Sequence, residues 1–105
     1  MIIDVRTYTA APGKLAAAVK LYEEFGYPHQ VKYLGKPIFY GTTEVGPLNQ
    51  IIHAWGYASQ AEREEKRAKM EADPSWMEYR RLSGEKGYLL SQENRLIKTT
   101  SFSPV

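Results

Sequence analysis

The segment Asn49-Gln50-Ile51-Ile52-His53-Ala54-Trp55-Gly56-Tyr57 alternates with a strict period of two and runs directly into a charged stretch carrying Arg63 and Arg67. As a strand, it places Asn49, Ile51, His53, Trp55 and Tyr57 on one face and Gln50, Ile52, Ala54 and Gly56 on the other. The second face is small and suits close packing. The first combines an imidazole, an indole and a phenol, whose polar tips each need a partner once buried. The pattern therefore predicts that the small face packs beneath helices, while the His53 face is left uncovered and lines a cavity.

The remaining elements follow from similar patterns. Ile2 to Ala10 alternates β-favouring residues and predicts a first strand, with Asp4, Arg6 and Tyr8 sharing one side. Pro12-Gly13 opens a helix in which Leu15, Ala18, Val19, Tyr22 and Phe25 recur at helical spacing, and Gly26 is its expected stop. Tyr27 to Lys36 has no clear period and predicts a loop. Ile38 to Val45 and Leu48 to Tyr57, separated by Gly46-Pro47, predict a hairpin. Ser59-Gln60-Ala61-Glu62 matches a capping box and begins a second helix reaching Ala72, with Ala58, Ala61, Ala68 and Ala72 as its thin apolar stripe. Asp73-Pro74 starts a third helix whose bulky side is Trp76, Met77, Tyr79 and Leu82. Gly84 to Ser91 reads as a connector and Glu93 to Phe102 as a last strand.

This order, β-α-β-β-α(α)-β, predicts an α+β, ferredoxin-like sandwich: a four-stranded antiparallel sheet with helices on one face. A chain of 105 residues holds one domain, spanning 1–105, and buries roughly 60 to 70% of its unfolded surface. An uncovered face bearing Tyr8, Trp55 and Tyr57 is too apolar to stay solvated, so two subunits packing sheet to sheet into a homodimer are expected.

Composition removes several function classes. Fourteen Lys and Arg against twelve Asp and Glu, with signs interleaved, give no electrostatic footprint for nucleic acid. Cysteine is absent, which excludes thiol nucleophiles and Cys-ligated zinc, and only His29 and His53 are present as histidines, so no metal site is expected. The charged start and the lack of a stretch of ~20 apolar residues predict a cytoplasmic protein with no membrane span. Hydrolase elbows, P-loops and dinucleotide fingerprints are missing, so no cofactor is expected.

Several motifs occur in an order shared with a known family: Arg6-Thr7-Tyr8 before Pro12-Gly13, Glu44-Val45-Gly46-Pro47-Leu48-Asn49, His53-Ala54-Trp55-Gly56-Tyr57, Arg63 with Arg67, Asp73-Pro74-Ser75-Trp76, and Ser101-Phe102-Ser103-Pro104. Across nearly its whole length the chain resembles the NIPSNAP family. The resemblance implies a dimeric α+β barrel, a superfamily that also holds cofactor-independent monooxygenases, muconolactone isomerases and polyketide cyclases.

Two functional hypotheses remain. In the first, the barrel cavity holds a small aromatic or carboxylate ligand, with cofactor-independent oxygenase or isomerase chemistry as its catalytic form. His53 and Asp4 are then the acid-base candidates, since an imidazole near its ordinary pKa exchanges a proton at neutral pH. Arg6 and Tyr57 orient an anionic or phenolic group, Tyr8 and Trp55 hold a planar ring, and Asn49 and Arg63 complete the ligand-binding set. The second hypothesis is a non-catalytic assembly module, in which His53 is a structural histidine bonded to Asp4 or Asn49, and Arg63 and Arg67 form a solvated face. An open pocket of about 300 Å³ or more favours the first.

Overall fold

A computed structural model describes residues 1–105. Its four strands, β1 (Ile2–Ala10), β2 (Phe39–Thr42), β3 (Gln50–Tyr57) and β4 (Leu89–Lys98), form one antiparallel sheet in the order β2-β3-β1-β4. The connecting helices are α1 (Leu15–Leu21), α2 (Tyr27–Leu34), α3 (Gln60–Glu71) and α4 (Pro74–Lys86). The molecule is only 18 Å thick, the depth of one sheet and one helical layer. This is the expected ferredoxin-like α+β sandwich. No helix is long and apolar enough to cross a membrane.

The sheet face that the helices cover is the opposite of the one expected. Register sets Tyr40, His53, Arg6 and Asn94 in one row across the four strands, with Trp55, Asp4 and Leu96 in the next. Trp55 and Tyr57 form the buried core with Tyr22, Leu34, Met70 and Trp76 from the helical layer. Ile3, Val5, Ile52 and Ala54, with Phe39 and Ile97 beside them in register, lie on the uncovered side. The physical reason is volume and partnering. Large side chains fill the space between sheet and helices, the Trp55 indole pairs with His53 on its own strand, and Asp4 meets Arg63 of α3.

Helix geometry departs from expectation at Gly26, which does not stop the helix. Residues Tyr22–Gly26 form a π-helical turn, and α2 continues through the segment expected to be a loop. Pro28 has no amide to give, and its ring would press on the carbonyl four residues back. The wider turn, in which the Tyr27 amide donates to the Tyr22 carbonyl, absorbs this defect. Gly26 serves packing instead, because a Cβ there would stand 2.7 Å from the Tyr22 ring and 3.2 Å from that of Tyr79. Gly35, at φ 76°, ends α2.

The capping box forms as predicted: Ser59 Oγ accepts from the Glu62 amide at 3.1 Å, and Glu62 accepts from the Ala58 amide. The stripe Ala58, Ala61, Ala68 and Ala72, however, is exposed. The inward side of α3 carries fully buried Met70 together with Arg63 and Arg67, because the layer below offers a carboxylate, and a long guanidinium stem packs while its head pairs. At the end of the chain α4 runs on to Lys86, closed by Gly87 at φ 65°, and β4 spans Leu89–Lys98 rather than Glu93–Phe102. Period two alone could not place that strand, because both faces of β4 are largely exposed.

Asp73 caps α4 by accepting from the Ser75 amide at 2.7 Å, and its other oxygen accepts from the Tyr33 hydroxyl at 2.6 Å. This fixes the helix that presents Trp76, which is 7% exposed. Trp76→Ala should destabilise the fold by about 3 kcal/mol, the low end for such a truncation, because one side of the indole already borders open space. A thermal midpoint unchanged from the parent's would show that the indole makes no essential contact.

Candidate functional site

Between the sheet and the helices lies a cavity of about 630 Å³. Its floor is the His53 row: Arg6 and His53 are direct cross-strand neighbours, and Tyr40 flanks His53 on the other side. Tyr22 from the π-helical turn, and Trp76 and Tyr79 from α4, form the aromatic wall. Arg67, Arg80 and Glu71 add charge, and the first residues of β4 form the open flank.

The imidazole of His53 is enclosed by rings. Tyr40 stacks on it at 4.5 Å between centroids and itself stacks on Tyr22 at 4.8 Å, while Tyr8 meets His53 edge-on at 4.9 Å. The Trp55 indole N–H donates to His53 Nδ1 at 2.6 Å. Nε2 is buried and has no protein partner. Burial, reinforced by the Arg6 and Arg67 charges and only partly opposed by Asp4, pushes the imidazole down to about 3. His53 is therefore neutral at physiological pH. With Nδ1 accepting, its proton sits on Nε2, so the ring is a hydrogen-bond donor and not a general base.

Asp4 fails as a proton acceptor for a different reason. Fully buried, it accepts from Arg6 Nη1 at 3.0 Å, Arg63 Nε at 3.1 Å and Asn94 Nδ2 at 3.0 Å. Burial alone would raise its carboxyl, yet the Asn94 bond and the two guanidinium groups hold it below the ordinary carboxylate range. Asp4 is structural support for Arg6, whose Nε donates to the Tyr8 hydroxyl at 2.8 Å. The Tyr22 hydroxyl donates to Gln30 Oε1 at 2.5 Å. Burial drives the Tyr22 and Tyr40 hydroxyls far above their ordinary range and Tyr79 up to about 12, so all three stay protonated.

Of the residues expected from sequence, Arg6, Tyr8 and His53 border the cavity. Trp55 lies behind His53, and Asp4 and Arg63 lie behind Arg6. Tyr57 is buried deeper in the core, its hydroxyl without a hydrogen bond and raised by burial. Asn49 stands apart at the start of β3, with φ 67° and its carbonyl accepting from the Ala10 amide. Sequence reasoning missed Tyr40 and Tyr79 as lining residues and took Tyr22 as plain core. The available signal was chemical: eight tyrosines in 105 residues, several at inward positions where leucine fills space without a hydroxyl.

A model of the NIPSNAP family matches residues 3–104. The chain belongs to the NIPSNAP family. It is 34% identical over 76 residues to the protein NipSnap homolog of Dictyostelium discoideum, covering 71% of this chain and 33% of that protein. It thus spans about a third of that NIPSNAP relative's length. Among solved structures, a NIPSNAP family protein from Agrobacterium tumefaciens is 41% identical, with 99% of this chain and 97% of that one covered at a TM-score of 0.89. A putative antibiotic biosynthesis monooxygenase from Nitrosomonas europaea, only 7% identical, covers 94% of this chain and 98% of its own at a TM-score of 0.67. The likeness to the monooxygenase is one of fold.

Proposed function

We propose that this NIPSNAP chain binds a small planar organic anion, aromatic or carboxylate, in the cavity between sheet and helices. The observation that carries the proposal is the pairing of aromatic walls with unused donors: a buried His53 Nε2–H beside the Arg6 guanidinium, in a space of about 630 Å³. That volume falls in the range of small-molecule sites, and an unpaired buried donor costs about 1 to 3 kcal/mol until something accepts from it. A phenolate or enolate held there is the electron-rich form on which isomerases and cofactor-independent oxygenases act. The fold shared with the putative monooxygenase is compatible with that chemistry but does not specify it.

Gly84 offers a clean test. It borders the cavity from α4, and an added Cβ there meets no atom within 4 Å. Calorimetric titration with a panel of aromatic carboxylates and phenols should give saturable binding to the parent, weakened at least about tenfold in Gly84→Trp. Equal binding by the two proteins, or no saturable binding by the parent, would sink the proposal.

The subunit arrangement is part of the same reading. Only 15 of 105 residues are buried in the isolated chain, and no helix covers the face carrying Ile3, Val5, Ile52, Phe39 and Ile97, on which Phe39 and Ile97 are exposed. This apolar face, rather than the Tyr8, Trp55 and Tyr57 face first expected to do so, is the one proposed to pack against a second copy. Sedimentation at micromolar concentration should show a dimer, and Val5→Lys with Ile97→Lys should give a monomer. A stable monomeric parent rules the arrangement out.

A further inference from the structure

We propose that Trp55 is a positioning residue that fixes His53 as an Nε2–H donor, so that the cavity selects a planar ring bearing one anionic oxygen, an ionised phenol or enol, over the same ring bearing a carboxylate. This rests on the cavity being a ligand site. Indole nitrogen can only donate, so the ring nitrogen facing it must accept, and the 2.6 Å contact leaves His53 Nδ1 no room for a proton. The neutral imidazole then keeps its proton on Nε2, the one His53 nitrogen without a protein partner.

Arg6 narrows the choice further. A carboxylate is best recognised by two parallel N–H groups of one guanidinium fork. Here Nη1 is committed to Asp4 and Nε to the Tyr8 hydroxyl, leaving Nη2 without a protein bond. Arg6 and His53 face each other across β1 and β3, so the free donors come from two different side chains. A single oxygen needs no parallel pair, whereas a carboxylate loses here the bidentate fork that recognises it best. The stack of His53, Tyr40 and Tyr22, with Tyr8 edge-on to His53, presents ring edges as an aromatic wall beside which the ligand ring lies. With neither His53 Nδ1 nor Asp4 free to accept a proton, the proton that a phenol gives up as it binds goes to solvent or to the Glu71 carboxylate on the cavity wall.

The first measurement needs no variant: long-range ¹⁵N–¹H correlation of the His53 ring in the labelled parent protein should show the Nε2–H tautomer, unchanged between pH 8 and 5. The second uses 4-nitrophenol and 4-nitrobenzoate as probes. Bound 4-nitrophenol should absorb as the phenolate at a pH about one unit below its own pKa, and 4-nitrobenzoate should bind at least about fivefold more weakly. Trp55→Phe should free Nδ1, mix the tautomers and erase the preference. Should Trp55→Phe not fold, His53→Gln, which keeps an N–H donor, should retain the preference, and His53→Leu should lose it. An Nδ1–H tautomer in the parent, or 4-nitrobenzoate binding as tightly as 4-nitrophenol, overturns this inference while leaving the ligand site standing. If neither probe nor any member of the aromatic panel binds, both fall.

Discussion

Replacing Asp4 with alanine should cost about 3 to 5 kcal/mol of folding stability, one of the largest losses expected from any single substitution in this chain. The carboxylate is wholly buried and neutralises two guanidinium groups, Arg6 and Arg63, whose side chains are only 17% and 15% exposed. Removing it leaves both cations half-desolvated without a counter-charge, and it breaks the Asn94 bond that ties β4 to β1. Urea denaturation measures the effect. A loss below about 1 kcal/mol would falsify the view that this network joins β1, α3 and β4. Arg63→Met should be milder, because Asp4 keeps Arg6 and Asn94. The consequence for the site is direct, since Arg6 holds its place on the cavity floor through Asp4.

Acid should unfold the protein through His53. In the unfolded chain the imidazole takes up its proton near its ordinary pKa of 6.5, whereas in the fold it does so only at about 3. Between those values the unfolded state binds one more proton, so stability is fully present above pH 6.5 and falls as the pH drops toward 3. The whole window is worth roughly 5 kcal/mol, and about half of it is spent by the middle of the window. The cause is burial among the Tyr8, Tyr40 and Trp55 rings, with the charges of Arg6 on β1 and Arg67 on α3 opposing protonation and Asp4 favouring it. His53→Gln cannot take up a proton, so its stability should be nearly flat from pH 6.5 to 4.5. Below about pH 4 both proteins should lose stability together, because Asp4 takes up a proton in the unfolded chain near its ordinary pKa of 3.8 while the fold holds it ionised to lower pH. Equal slopes for parent and variant between pH 6.5 and 4.5 would show that His53 titrates normally.

Neither His53 Nδ1 nor Asp4 is free to take a proton. His53 and Asp4 were the natural acid-base pair from sequence, and the fold takes that role from both by giving each a partner. Trp55 occupies the lone pair of His53, and two arginines with Asn94 saturate Asp4. What the site keeps is a set of donors and cations, which hold an anion rather than remove a proton.

Local rules read from the sequence determined the order of the elements apart from α2, the antiparallel ferredoxin-like sheet, the capping box at Ser59 and the Asp73-Pro74 start of α4. These depend on neighbours within a few residues, where spacing and backbone chemistry decide. Period two also determined that His53, Trp55 and Tyr57 share one side of β3 and that Asp4, Arg6 and Tyr8 share one side of β1. It could not decide which face the helices cover, because alternation is symmetric until a second layer breaks the tie. The tie is broken by partners far away in sequence: Arg63 stands 59 positions from Asp4 and Asn94 stands 90. A charged strand face looks solvent-bound until those donors arrive, and only the tertiary structure brings them. The same holds for the cavity, whose Tyr22, Tyr40 and Tyr79 come from a π-helical turn, an edge strand and a helix that meet only once the chain has folded.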